Sequence, residues 1–348
     1  MRVLVTGAAG FIGRRVAATL IAAGDEVVGV DAMIGAAHPA GSQLPAGVRR
    51  GDVRDGDALE AMLADVDVVC HQAAMVGNGV DAQDLPGYAS HNDLGVAVLL
   101  AAMARTGVRR LVLASSMVVY GEGRYTCPTH GEIRPLARRP QDLDAGIFDP
   151  RCPHCDGLVG WALVDEDAPI RPRSSYAVSK VAQEQYAGAW ATLERGRCVA
   201  LRYHNVYGPD MPADTPYAGV AAIFRSALEG GQGPPVFEDG HQMRDFVHVD
   251  DVARANAAAV RRVGDHPPGV TAYNVCSGHP TDIATMARLI AAEHGGPEPV
   301  VTGRYRAADV RHVVASPAAA VDGLGFRAGV APDRGLREFA HARLRPTR

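Results

Sequence analysis

The opening thirteen residues constrain this chain more than any other segment. Arg2-Val-Leu-Val-Thr6 is a short apolar strand, and Gly7-Ala-Ala-Gly10-Phe11-Ile12-Gly13 follows it at once. Arg14 to Ala23 is helical in composition and stops at Gly24. A strand, a glycine turn and a helix in that order begin a nucleotide-binding βαβ unit. The glycines allow a tight turn and a close approach of backbone to a pyrophosphate, which the helix N-terminus favours electrostatically. The spacing is G-x-x-G-x-x-G, not the commoner G-x-G-x-x-G. An isolated turn accounts for any one of these glycines, but not for all of them in this context.

Later segments extend the same reading. Glu26-Val-Val-Gly-Val30 is a second strand ending at Asp31. A carboxylate there accepts hydrogen bonds from ribose hydroxyls and repels a 2′-phosphate, which favours NAD over NADP. Asp52-Val53 follows a third strand-like segment and is placed to contact the adenine. Asp67-Val-Val-Cys70-His71-Gln72-Ala73-Ala74 reads as a fourth strand, where Ala73 and Ala74 leave room for the cofactor.

Tyr176-Ala177-Val178-Ser179-Lys180 puts a phenol and an ammonium on one face of a helix. An ammonium beside a phenol lowers its pKa toward the range of a general base. Alone, that spacing is only a helix surface pair. Arg110-Leu-Val-Leu-Ala114 supplies a fifth strand ending at Ser115-Ser116, and reactive groups collect at the carboxyl ends of such strands. Ser116 is therefore a candidate partner for a substrate oxygen beside Tyr176.

The net charge of −4 gives no sign of a nucleic-acid surface, and Arg134-Pro-Leu-Ala-Arg138-Arg139 reads as a short solvated loop. The best apolar run, Leu94 to Ala104, is helix-sized and flanked by Asp93 and Arg105. The three glycines of Met1 to Gly13 fit a strand and turn better than a signal peptide. The expected location is cytoplasmic, with reduced thiols.

These motifs together resemble the extended short-chain dehydrogenase/reductase family, in particular its NAD-dependent nucleotide-sugar epimerase and dehydratase group. The resemblance runs through nearly the whole chain. Besides the segments above, it includes Asn92-Asp-Leu-Gly95, Val119-Tyr120-Gly121, Arg202-Tyr203-His-Asn205-Val-Tyr-Gly-Pro209, Arg244-Asp-Phe-Val-His-Val-Asp250 and Arg306-Ala-Ala-Asp309. It implies that Ser116, Tyr176 and Lys180 form the catalytic triad and that Lys180 also binds the nicotinamide ribose. It assigns Asn92 and Tyr203 to the cofactor with Gly7, Gly10, Phe11, Ile12, Gly13 and Asp31. Asn205 and Arg244 are then expected at the substrate diphosphate, with Arg306 and Asp309 closing over the nucleotide. An ion pair of Arg244 with Asp245 or Asp250 is the plainer alternative. Phe237-Glu238-Asp239-Gly240 is expected near the nucleotide on the same ground.

The residues after Ser116 bear on the reaction. Related dehydratases and decarboxylases carry acidic residues there, whereas this chain has Met117 and Val118, neither of which transfers a proton. A redox cycle at carbon 4 of a nucleotide sugar, giving 4-epimerisation, is the expected activity. The alternatives are a 4-keto-sugar nucleotide reductase and a non-catalytic NAD-binding regulator.

Sixty residues separate Ser116 from Tyr176, more than such enzymes usually need. The excess, 123–170, contains Cys127-Pro-Thr-His130 and Cys152-Pro-His-Cys155. Two such knuckles supply four ligands suited to tetrahedral zinc, and so full a set leaves no open catalytic position. His154 is an alternative to His130; a disulfide or a loop of free thiols are alternatives to the metal. Cys70, Cys198 and Cys276 read as buried thiols. The insertion resembles one in a subset of bacterial epimerase-like proteins, including dTDP-L-rhamnose 4-epimerase-like ones, and is a candidate lid over the sugar.

The expected architecture is α/β: a Rossmann-type doubly wound parallel sheet in 1–210, a zinc-ribbon-like insertion, and a smaller substrate domain, mainly 211–348, interleaved with the first. Helices are expected at Val220 to Glu229, Asp251 to Arg261 and Asp282 to Glu293. Family resemblance implies a homodimer through a helical bundle, to which the segments 92–105 and 177–192 are suited. The expected partner is a nucleotide-diphosphate sugar, with no nucleic acid and no membrane.

Overall fold

The alternation of side chains along the first strand dictates two hydrophobic layers. In the computed structural model, which describes residues 1–35, 37–38, 41–77, 82–213, 219–306 and 309–345, Arg2–Thr6 is buried on both faces. Val3 and Val5 pack into one cluster with Val16, Leu20, Val252 and Ala255. Leu4 points the other way, toward Leu99, Leu100, Leu111 and Trp190. This two-residue period, with helices on either side, is what a buried parallel sheet requires.

Seven strands make that sheet, in the order Gly269–Val275, Arg197–Tyr203, Arg110–Ser116, Val68–His71, Arg2–Thr6, Glu26–Asp31, Val48–Arg50. Every pairing within it is parallel. The chain steps outward from Arg2–Thr6 in one direction, then returns to Val68–His71 and steps outward in the other. Ligands of such sheets bind beyond the strand ends at that reversal. The expected strands are therefore present, and Gly269–Val275 brings the chain back to the sheet well after residue 210.

The expected helices form as Val220–Glu229, Val249–Arg262 and Ile283–His294. The last begins where Asp282 accepts the Thr285 amide at 2.5 Å, an N-cap invisible to apolar periodicity. The segment near 92–105 is not one uniform α-helix: a π-helical turn, Ala89–Leu94, precedes Gly95–Thr106. Pro216 lies outside the described residues.

Beside the sheet, Phe224, Leu228, Phe246, Met286, Ile290 and Phe339 form a separate core. It underlies the short strands Asn205–Tyr207, Met243–His248 and Pro280–Asp282. Between Ser116 and Tyr176 the chain forms a small antiparallel sheet, with Arg124–Cys127 between Gly131–Ile133 and Gly160–Ala162. Two of the four fully buried members of its core are thiols, Cys127 and Cys152. Among the described residues, no helix is long and apolar enough to cross a membrane.

Candidate active site

Gly7 takes φ +67°, and a Cβ there would lie 2.7 Å from the Ala73 amide nitrogen. A Cβ on Gly13 would overlap the Gly7 carbonyl oxygen. The turn thus presses against the end of Val68–His71 and admits only glycine at these points. The helix Phe11–Ala22 starts at Gly10 without a side-chain cap, leaving first-turn amides for an anion. This cradle fits a pyrophosphate.

Asp31 is buried at the next strand end. Its Oδ2 accepts the Ala9 amide at 3.0 Å and its Oδ1 the Met33 amide at 2.8 Å. His38 Nε2 lies 3.3 Å from Oδ1. Burial raises the pKa of this carboxyl, but the hydrogen bonds of His38, Met33 and Ala9 outweigh it and leave Asp31 below its ordinary value. Asp31 therefore shapes the turn at the end of its strand.

Asp52 is engaged within its own loop. Its carboxylate is taken by Arg54, at 2.6 Å and 2.9 Å, and that hydrogen bonding holds its pKa down. Arg54 also reaches the Ser90 hydroxyl at 2.7 Å. The side chain thus braces this loop beside the buried Val53. Tyr203 is similar: its hydroxyl donates to Gln72 Oε1 or Asn256 Oδ1, each at 3.0 Å, and accepts from Asn256 Nδ2. Asn92 is fully buried, holding both backbone groups of Met75 and donating to the Ser179 hydroxyl at 2.8 Å. It thereby fixes the chain just after Ala73 and Ala74.

Ser174 caps the helix Ser175–Glu194 by accepting the Ala177 amide, which places Tyr176 and Lys180 in its first two turns. Ser116 ends its strand with its hydroxyl accepting the Val118 amide at 3.4 Å, and it lies close enough to the Tyr176 phenol to favour its ionisation. The three expected groups therefore converge. Burial dominates their electrostatics. Lys180 Nζ donates to the Ala114 carbonyl at 2.7 Å and to Gln183 Oε1 at 2.9 Å, and sits 5.7 Å from the centroid of the Tyr176 ring. Burial pulls Lys180 down to about 7, against the Glu184 carboxylate. Desolvation pushes the Tyr176 phenol well above its ordinary value, and only the nearby Ser116 hydroxyl opposes it.

A buried network supports this site. Glu184 accepts from the Ser115 hydroxyl and pairs with Arg202 at 2.9 Å. Arg202 also donates to the Tyr120 hydroxyl at 3.0 Å, and that hydroxyl donates to Asn274.

At the expected substrate end, the buried Oδ1 of Asn205 has no partner among the described residues. Arg244 pairs with neither Asp245 nor Asp250; its donors go to the carbonyls of Met243, Val310 and Arg311 at 2.8 to 2.9 Å. Arg306 lies 5.3 Å from the Phe237 ring centroid, with Arg304 at 5.0 Å. Burial raises the Asp309 carboxyl above its ordinary value. The two alanines between Arg306 and Asp309 lie outside the described residues.

The four expected metal ligands come together. Atoms of Cys127, His130, Cys152 and Cys155 all lie within 4.8 Å of one another. Cys127 and Cys155 sulfurs are 3.7 Å apart, and His130 Nδ1 is 3.5 Å from Cys127 and 3.6 Å from Cys152. Two thiolates on one tetrahedral zinc stand at about this separation, given Zn–S bonds of ~2.3 Å. Cys70, Cys198 and Cys276 are buried, as expected.

Several site-building residues escaped sequence reasoning. Arg138, expected in a solvated loop, has a side chain only 2% exposed and pairs with Glu238 at 2.6 Å. Arg345 donates to the carbonyls of Ala9 and Ala37, each at 3.2 Å, tying the glycine turn to the loop after Asp31. Neither lies in a motif; each is defined by partners far away in the chain.

Comparison with known proteins agrees with this geometry. Residues 3–141 and 160–276 match the model of the "NAD dependent epimerase/dehydratase family". The stretch it skips holds Cys152 and Cys155. A dTDP-L-rhamnose 4-epimerase of Burkholderia thailandensis is 34% identical, over 97% of this chain and 93% of that protein. A UDP-glucose 4-epimerase of Mycolicibacterium smegmatis is 32% identical over 97% and 96%. The structure of Thermus thermophilus UDP-glucose 4-epimerase in complex with NAD superposes with a TM-score of 0.75 at 30% identity, covering 98% of both chains.

Proposed function

This chain belongs to the NAD dependent epimerase/dehydratase family, and from that premise we propose that it inverts carbon 4 of a nucleotide-diphosphate sugar. It is an NAD-dependent epimerase. The observation that carries this reading is the convergence of Ser116, Tyr176 and Lys180 in a fold whose first strand ends in a glycine turn suited to a phosphate.

NAD, held by the turn Gly7–Gly13, Asp31 and the chain near Ala73 and Ala74, supplies hydride acceptance and return at carbon 4. Tyr176 takes the proton of the 4-hydroxyl and later returns it. Ser116 hydrogen-bonds the same oxygen and so shares the proton path. Lys180 is anchored on the Ala114 carbonyl, near the ribose position. Burial opposes ionisation of the phenol, so its ionisation is tied to the entry of positive charge and substrate. The 4-keto sugar then presents its other face. Met117 and Val118 offer no acid for elimination. Asn205, donating through its side-chain NH2, and Arg244 hold the diphosphate.

The insertion holds one structural zinc through Cys127, His130, Cys152 and Cys155, as their mutual distances support. The chain works as a homodimer in the cytoplasm, and exposed Leu94, Val178, Tyr186 and Leu193 supply an apolar surface for pairing.

The test is turnover of UDP- and dTDP-sugars by purified protein without added cofactor. Epimerisation at carbon 4 is expected. Turnover that requires external NAD(P)H would replace this reading with that of a reductase.

A further inference from the structure

The basic segment of the insertion does not stay in solvent. Arg138 Nη1 donates to Glu238 at 2.6 Å, and its Nη2 to the Asp309 carbonyl at 2.7 Å. A longer contact, 3.5 Å, reaches the Arg306 carbonyl. Glu238 is 3% exposed and takes φ +54°, a left-handed conformation unfavourable to a side-chain-bearing residue. Its other oxygen accepts Arg311 Nη1 at 2.8 Å.

Arg311 extends the same assembly. Its guanidinium, 1% exposed, binds Asp149 of the insertion at 2.9 Å and Asp239 at 2.7 and 2.8 Å. Its carbonyl accepts Arg244 Nη1 at 2.8 Å. Asp149 also meets His312 at 3.0 Å, and the other nitrogen of that ring accepts the Met243 amide. Two residues of the insertion, Arg138 and Asp149, thus clamp the Phe237–Gly240 turn, the chain flanking Arg306 and Asp309, and the backbone that holds Arg244.

We propose that the insertion sets the nucleotide end of the site, with Arg138 as the positioning residue that holds the Phe237–Gly240 turn and the Arg306 and Asp309 backbone in register with Arg244. This rests on the reading above that the substrate is a nucleotide sugar. It also relocates the insertion's role from the sugar, where a lid was expected, to the nucleotide. Removing the Arg138 fork leaves Glu238 with an uncompensated share of buried charge and a strained backbone, so the turn relaxes. The reacting groups, on Ser175–Glu194 and Arg110–Ser116, are held by other contacts.

The experiment compares wild type, Arg138→Ala and Arg138→Lys in steady-state kinetics with a turned-over sugar nucleotide, and in calorimetric binding of UDP and dTDP. For Arg138→Ala, KM and the nucleoside diphosphate Kd should both rise by about tenfold or more. Its kcat and bound NAD should stay near wild type. Arg138→Lys, lacking the planar fork, should fall between. Should Arg138→Ala fold poorly, Asp149→Asn, on the opposite side of the clamp, should give the same selective rise. A wild type that turns over while both variants keep its KM overturns the positioning role alone. Loss of kcat or NAD at unchanged KM overturns it too. A wild type that neither binds nucleoside diphosphates nor turns over any sugar nucleotide overturns both readings.

Discussion

Lys180 donates to the carbonyl of Ala114 at 2.7 Å, fastening the catalytic helix to the strand that ends in Ser116. The ammonium faces backbone, and the phenol four residues before it is left to be tuned by Ser116 and by what binds.

A first prediction concerns Tyr176. Tyr176→Phe removes the proton acceptor and keeps the ring, so kcat should fall by about 10²–10⁴. Bound NAD, released by denaturation and quantified, should be unchanged. Unchanged kcat would exclude Tyr176 as the base.

Lys180 gives a pH signature. Its folded pKa, pulled to about 7, lies below the ~10.4 of an unfolded lysine. Between those values the unfolded chain binds more protons, so this group makes ligand-free stability rise with pH from about 7 to about 10.4. Lys180→Met should therefore be inactive, yet melt higher than wild type near pH 6. That margin should shrink as pH rises toward 10. Melting curves across pH on cofactor-stripped protein measure it, and a constant margin would contradict it.

The pair Glu184–Arg202 is buried, with side chains 6% and 5% exposed. Glu184→Ala strands a buried guanidinium and should cost about 3–5 kcal/mol in urea unfolding. Glu184→Gln keeps the hydrogen bonds and should cost less.

Gly13→Ala forces a methyl into the Gly7 carbonyl. The turn must open, so the purified variant should carry little NAD. A full complement of NAD would show that the turn tolerates the methyl.

The cysteine cluster predicts one zinc per chain by elemental analysis of protein never exposed to chelator. Cys152→Ser should lose it and make 123–170 sensitive to limited proteolysis, because a small core of Tyr125, Val159 and two thiols cannot hold the fold alone. Metal-free wild type would refute the site.

Some of this was legible in the chain because the determinants are local. The turn Gly7–Gly13, the spacing of Tyr176 and Lys180, and the paired cysteines each act through a few neighbouring residues, whose conformation fixes their chemistry. Family resemblance then named the remaining positions, and the triad and the four ligands do converge. What only the tertiary structure decided depends on partners distant in sequence. Asp52 pairs with Arg54, which also reaches Ser90, Lys180 points at Ala114, and Arg138 is buried against Glu238, 100 residues on. A guanidinium in a polar, proline-bearing segment reads as solvated until a carboxylate arrives to pair with it. Burial and charge compensation are properties of the assembled fold, and no local pattern encodes them.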